Sequence, residues 1–440
     1  MSTYRGVSVL LLSLACQALL AQPRQLTIEE SVRLGLENSK TFHASLMRSE
    51  LAEAKASEMK AALFPSLKVQ ASYQHLSEVP EFKIPFPGIP TIFPYLPHAY
   101  VARAVVQQPL FTGWRLLGAA DNASYQAEAS RRDVAKDRAE LILGIKTAYW
   151  TVFRTGEVRR LAEENVKQIE SHLRDSENLA RLGMATQNDV LKVRVQLANS
   201  RLLLSDAANN LRVATIALNS TIGLSLETEI AIASPLSPPL RESAKVNDLV
   251  NKALSVRPDL LGLQLRLKAA DAAVTSATGG WFPQVFLTGS YTTARPNQRI
   301  IPMVDEFRDT WDIGVSLQFD IWNNLSTLHQ TTQAKAQREQ VRDALGSMHD
   351  GIVLEVTQSV LNCQQARERI ELAELTVQQA NENYKMAAER FKTGLITSSD
   401  LLDAELMLLQ AKLQLTNAQV EYELSQAKLE KVAGLSSEEL

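Results

Sequence analysis

Residues 311–321 read Trp311-Asp312-Ile313-Gly314-Val315-Ser316-Leu317-Gln318-Phe319-Asp320-Ile321. Trp, Ile, Val, Leu, Phe and Ile take every second position, and the positions between them are polar or glycine. A period of two belongs to a β-strand with one apolar face. Residues 284–294 show it again, with Val285, Leu287 and Tyr291 set against Gln284, Thr288, Ser290 and Thr292. Residues 66–77 do so too, with Leu67, Val69, Ala71 and Tyr73 against Ser66, Lys68, Gln70, Ser72 and Gln74. A fourth strand is expected at about 99–111. Two registers compete there, Tyr100, Ala102, Ala104 and Val106 against Val101 and Val105. The predicted strands, about 66–77, 99–111, 284–294 and 310–321, are long enough for tilted transmembrane strands, which take about 9–11 residues.

The chain around the strands has a helical pattern. Val356, Ser359, Cys363, Ala366, Ile370, Ala373, Val377, Ala380, Tyr384, Ala387 and Phe391 follow at alternating steps of three and four, a heptad seam. After a turn at Gly394 the seam resumes at Leu401, Ala404, Leu408, Ala411, Leu415, Ala418, Tyr422, Ser425, Leu429 and Val432. The first half carries Val190, Val193, Leu197, Ser200, Leu204, Ala207, Leu211, Ala214 and Leu218 in the same register. Two antiparallel coiled-coil hairpins are predicted, about 114–222 and 325–433. The first helix of each is on the order of 100 Å long at 1.5 Å per residue.

The chain is an internal tandem repeat. Phe64-Pro65-Ser66-Leu67 answers Phe282-Pro283-Gln284-Val285, and Gly183-Met-Ala-Thr186-Gln-Asn-Asp189-Val190-Leu191 answers Gly394-Leu-Ile-Thr397-Ser-Ser-Asp400-Leu401-Leu402. The copies are read as 22–235 and 236–440. They are joined by Ser234-Pro235-Leu236-Ser237-Pro238-Pro239, which cannot be helical. Residues 1–21 read as a signal peptide, with one Arg before a short apolar run. Cys16 follows Ser13-Leu14-Ala15, a weak lipobox, so removal with the signal is preferred to lipidation. No other stretch approaches 18 consecutive apolar residues, so no transmembrane helix is expected.

Composition excludes several function classes. With 46 Lys+Arg against 49 Asp+Glu, the net charge of −3 gives no global attraction to nucleic acid. Two cysteines build no disulfide framework, and the six histidines show no metal-ligand spacing. No nucleophile elbow, phosphate loop or cofactor motif is present, so neither an enzyme nor a cofactor is expected. Alternating strands are ordinarily half-buried in a soluble sheet, but here the helices commit their stripes to each other. Four strands cannot close a barrel, since about eight is the small end, and lipid forbids an open edge. The chain therefore oligomerises to close its sheet or stays out of the membrane. In the latter case it is a periplasmic coiled-coil adaptor or scaffold.

Leu26-Thr27-Ile28-Glu29-Glu30-Ser31-Val32 with Glu37-Asn38 opens the first helix, and Arg257-Pro258-Asp259-Leu260 opens its counterpart. With the paired Phe-Pro strand starts and the paired Gly-x-x-[TS]-x-x-Asp turns, the chain resembles the TolC-like outer-membrane factors. The resemblance implies a mainly α protein with a transmembrane β part. Three protomers would give four strands each to one 12-stranded β-barrel, continued by a long periplasmic α-helical barrel of coiled-coil hairpins. It implies a passive exit duct of a tripartite efflux pump or type I secretion system in the outer membrane of a Gram-negative bacterium. The implied partners are outer-membrane lipid, a periplasmic adaptor and an inner-membrane transporter, with no nucleic acid.

Thr186/Asp189 and Thr397/Asp400 read as capping boxes. By resemblance, Asp400 and Asp403 line a periplasmic aperture. A polar latch in the family joins positions that here hold Phe391, Ile396, Asp189 and Asn188. Only the Asp is retained, so a mainly apolar closure is expected. Asp403 is otherwise a solvated charge beside Glu405. The turns Leu182-Gly183-Met184 and Thr393-Gly394-Leu395 are assigned, again by resemblance, to adaptor contact.

Overall fold

The computed structural model describes residues 24–79, 94–233 and 245–435. The expected signal peptide, the Pro-rich linker and most of the loop at 78–98 lie outside the described residues. The elements are β1 (Arg24–Leu26), α1 (Ile28–Asn38), α2 (Lys40–Ala61), β2 (Ser66–His75), β3 (His98–Phe111), α3 (Arg115–Arg181), α4 (Gln187–Ile222), β4 (Ile230–Ile232), α5 (Val246–Val256), α6 (Pro258–Thr278), β5 (Gln284–Arg295), β6 (Arg308–Gln318), α7 (Ser326–Lys392) and α8 (Ser398–Ala433). Helices α3 and α7 each have 67 residues, and α4 and α8 each have 36. The contacts divide the chain into two units, one of residues 1–44, 135–257 and 350–440, the other of 45–134 and 258–349.

The second unit is built on a four-stranded antiparallel sheet in the order β2-β3-β5-β6. Its register decides the strand that the sequence left open. Leu67 lies opposite Val106, Val69 opposite Ala104, Ala71 opposite Ala102 and Tyr73 opposite Tyr100. The Tyr100/Ala102/Ala104/Val106 row therefore shares the apolar face, and Val101 and Val105 share the other with Arg103. β6 begins two residues before the expected strand and ends three residues short of it, at Gln318. Its last partner is Gln284 of β5. Pro283, just before, has no N–H to extend the ladder. Both strand-to-helix junctions pass through two consecutive residues of positive φ, Gly113 (61°) and Trp114 (65°) before α3, and Asn324 (52°) and Leu325 (62°) before α7. At the first junction the backbones of Gly113 and Gly279 touch. A Cβ on Gly279 would lie 2.6 Å from the Gly113 carbonyl oxygen. The start of α3 is pinned beside α2 and α6 by Arg131–Glu53 (2.6 Å), by Arg266–Asp133, and by Asn122 donating to the Ala269 carbonyl (2.6 Å).

The first unit carries the hairpins. Every seam position read from the sequence in α4, α8 and the α7 stretch from Val356 to Phe391 is buried or half-buried. Val166, Ile169, Val193 and Leu197 fill the seam between α3 and α4, and Ala366, Ile370, Ala373, Ala418 and Tyr422 that between α7 and α8. A larger core gathers Leu26, Leu34, Ile145, Tyr149, Trp150, Leu218 and Ile222, with Val420 from α8. A short parallel pair, β1 with β4, edges this core, and the Tyr149 hydroxyl donates to the Leu26 carbonyl at 3.1 Å. The opening helix of each copy is broken in two, at Ser39 and at Arg257 before Pro258. The residue before a proline is pushed out of helical geometry.

Candidate functional site

Two regions carry functional geometry, the sheet and the hairpin turns. On the sheet, Leu67 (67%), Val69 (74%), Trp311 (69%), Ile313 (72%), Val315 (66%) and Leu317 (67%) stand exposed on one face. An apolar patch this continuous marks a contact surface rather than a water-facing one. Aromatic clusters bound it at both ends. Tyr73, Tyr100 and Phe307 are in ring contact at the loop end (5.0 and 6.0 Å). Phe111, Trp114 and Phe282 are in edge contact at the helix end (5.4 and 5.2 Å). Lys68, Arg103 and Asp312 lie on the opposite face, where Arg103 donates to Ser290 (3.1 Å) and Ser290 donates to Asp312 (2.7 Å), while Arg295 and Asp309 join the apolar face at its loop end. Among the described residues, β2 and β6 each have one partner strand. Among the described residues, no helix is long and apolar enough to cross a membrane.

The hairpin turns follow one local scheme twice. Helix α3 ends where the N–H groups of Gly183 and Met184 donate back to Ala180 and Leu179, at 3.1 and 2.9 Å. Helix α7 ends the same way, Gly394 and Leu395 donating to Phe391 and Arg390 at 3.0 and 2.9 Å. Both glycines have φ of +71°, the left-handed geometry of this helix stop. Thr186 and Thr397 then cap α4 and α8. Each hydroxyl accepts the N–H of the aspartate three residues on, and each carboxylate accepts the threonine's N–H, so both are complete capping boxes. The threonine hydroxyl, and after it the threonine N–H, holds the Asp189 and Asp400 carboxyls below the usual carboxylate range.

Leu182, Met184 and Leu395 are exposed apolar side chains at the turns, at 72%, 61% and 75%. Gly183, Thr393 and Gly394 are exposed beside them, as are Asn188, Asp400 and Asp403, while Asp189 and Ile396 are half-buried. Phe391 is buried. It meets the ring of His172 edge-on at 4.9 Å. One expectation changes here. Glu405 is not a surface neighbour of Asp403 but is 2% exposed. The packing around Phe391 is not purely apolar. His172 of α3, also buried, has Nδ1 3.2 Å from Glu405 and Nε2 3.1 Å from the Ser398 hydroxyl. Helix α8 thus carries, besides the seam read from its sequence, a second buried row that includes Glu405, Thr416, Val420 and Ala427.

The chain is similar to the probable efflux pump outer membrane protein TtgC of Pseudomonas putida, at 22% identity over 317 residues. That match covers 70% of this chain but only 62% of TtgC, less than two thirds of the relative's length. With the outer membrane protein TolC of Escherichia coli K12 it shares 24% over 401 residues, 88% of this chain and 77% of TolC. The crystal structure of the outer membrane protein VceC of Vibrio cholerae has the same fold, with a TM-score of 0.79 at 18% identity over 93% of this chain and 96% of VceC. Residues 32–224 and 249–435 match the model of the outer membrane efflux protein family, so the chain belongs to that family of outer-membrane proteins of Gram-negative bacteria.

Proposed function

We propose that the protein is the exit duct of a tripartite efflux pump or type I secretion system, working as a homotrimer. Three copies of the sheet close into one 12-stranded barrel, β6 of each pairing with β2 of the next. The observation that carries this reading is the exposed apolar sheet face, bounded by aromatics at both ends and flanked by two open edges. In water such a face and such edges invite aggregation. In lipid the face is satisfied, aromatic belts mark the two interfaces, and closure removes the edges. The polar network of Arg103, Ser290 and Asp312 then faces the lumen.

The helices continue the duct into the periplasm. At 1.5 Å per residue, a 67-residue helix rises about 100 Å. The turns would lie at its far end. The exposed Leu182, Met184 and Leu395 suit an apolar handhold for a periplasmic adaptor, which links the duct to an inner-membrane transporter. Three copies of Asp400 and Asp403 would make a ring of carboxylates at the aperture, favouring cations. The duct binds no cofactor and performs no chemistry.

The closure is tested by disulfide mapping. In a Cys363→Ser background, paired cysteines are placed along β2 (Gln70, Ser72, Gln74) and β6 (Thr310, Asp312, Gly314) and oxidised in outer-membrane vesicles. A barrel made of three sheets predicts a covalent trimer for at least one register. Absence of any covalent trimer, with the chain soluble once its membranes are removed, would return it to the adaptor or scaffold class.

A further inference from the structure

We propose that the mouth of the duct carries, on the charged face of each sheet, a binding site for amphipathic organic anions, anchored by Arg103 of β3. This deepens the exit-duct reading and rests on it, since it names a class of molecule held at the loop end of the barrel.

The chain between β5 and β6 roofs the site. Asn297 is buried there, and its Nδ2 donates to the Arg308 carbonyl (2.8 Å) and to the Thr310 hydroxyl (3.3 Å). Its Oδ1 accepts the Arg299 N–H at 3.0 Å, and the Arg299 guanidinium reaches Asp312 at 3.2 Å. Thr292 lies opposite both Arg103 and Thr310, so Arg103, Thr292, Thr310 and Asp312 share the charged face. These bonds fold residues 296–303 inward over that face instead of away from the strands. Ala294, on the same face, is buried. Between the loop and the strands lies a cavity of about 550 Å³.

The walls of the cavity divide by polarity. Leu76, Val79, Tyr95, Val101, Pro296 and Met303 give it apolar surface, and Arg103, Arg299 and Asp312 give it charge. The charges do not cancel. Asp312 Oδ1 accepts from both the Arg299 guanidinium and the Ser290 hydroxyl, so Arg299 is balanced where it stands. Arg103 donates to the Ser290 hydroxyl, and among the described residues no carboxylate lies within ion-pair distance of it. Its side chain is exposed along the cavity wall. A guanidinium carries five N–H donors in a planar fork that matches carboxylate and phosphate oxygens, and one bond to Ser290 leaves most of them open. An unbalanced cation beside apolar walls selects a ligand with an anionic head and an apolar body. A small hydrophilic anion would leave the walls wet, and a cation would meet Arg103 and Arg299.

The probe is naphthalene-2-sulfonate, with the uncharged naphthalene-2-sulfonamide, of nearly the same shape, as its control. Binding is measured by equilibrium dialysis against the full chain refolded into nanodiscs of zwitterionic lipid, with empty nanodiscs subtracted. The parent should hold the sulfonate about 10-fold more tightly than the sulfonamide. Arg103→Gln should abolish that difference by weakening the sulfonate about 10-fold, with the sulfonamide unchanged. Asp312→Asn keeps an acceptor for Ser290 and Arg299 but removes a negative charge from the cavity, so it should tighten the sulfonate about 3-fold. A damaged fold would not give that gain. Equal affinity of the parent for sulfonate and sulfonamide, or sulfonate binding unaltered by Arg103→Gln, would overturn the site. Dialysis needs no current, and conductance of the same sample reads the duct separately. A conducting channel without Arg103-dependent binding therefore removes the site and leaves the duct reading standing.

Discussion

Substituting Ile313 by lysine should block assembly without unfolding the helices. Ile313 lies mid-strand in β6, opposite Gly289, and its side chain is 72% exposed on the apolar face between Trp311 and Val315. If that face meets hydrocarbon, a lysine there costs about 2–4 kcal/mol per copy. At about 1.4 kcal/mol per factor of ten, this is roughly 30- to 700-fold per copy, and a trimer carries the cost three times. Ser316→Lys, three residues on and pointing to the opposite face, provides the control. A charge there enters a polar, water-filled lumen and costs little. The assay is the fraction of chain in the oligomer band of an unheated denaturing gel after refolding into vesicles, with helix content followed by circular dichroism. Ile313→Lys should lose most of the oligomer while keeping its helical signal, and Ser316→Lys should match the parent. Equal assembly of the two variants would refute the assignment of the lipid face.

Other outcomes follow from the packing. Leu218 is fully buried in the large core of the first unit, so Leu218→Ala should lower stability by about 2–5 kcal/mol in denaturant unfolding. Thr186→Ala and Thr397→Ala each remove a helix cap worth about 1 kcal/mol and should raise amide exchange in the first turn of α4 and α8 while leaving the α3–α4 seam protected. The Asp189 and Asp400 carboxyls are held below their usual range, so their contribution is complete at neutral pH. It is lost as pH falls through the carboxylate range, and tip exchange at matched chemical rates should rise only in acid. Gly279→Ala brings a Cβ to 2.6 Å from the Gly113 carbonyl oxygen and should destabilise the sheet unit. Gly183→Ala meets no atom within 4 Å and should cost only the left-handed strain, about 1–2 kcal/mol, seen as a smaller drop in melting temperature.

The strands were readable where one face is apolar and the other polar over a long run, as from Trp311 to Gln318 in β6. In β3 both faces carry apolar residues, and only pairing with Tyr73, Ala71, Val69 and Leu67 identified the outward row. The seams were readable because the alternation of three and four persists for many turns. The β1–β4 pair was not. It is three residues wide, and its strands are far apart in sequence. The left-handed Trp114 and Leu325 were equally hidden, since bulky residues rarely adopt that geometry. At the turns, the capping boxes were legible from spacing alone. His172 was not, because a single histidine in a long helix has no motif around it. Glu405 sits next to the seam residue Ala404, where a charge ordinarily points to solvent. Its signal was a second row of small and apolar residues in α8, Thr416, Val420 and Ala427, which marks a helix packed on two sides.

The most direct test of a trimeric duct combines mass and conductance. The mature chain would be extracted from outer membranes in detergent and run on a denaturing gel with and without heating, and the unheated sample placed in a planar bilayer. A trimeric channel requires a heat-labile band near three times the chain mass and discrete conductance steps that vanish with that band on heating. A monomer that stays soluble without detergent and passes no current would contradict it.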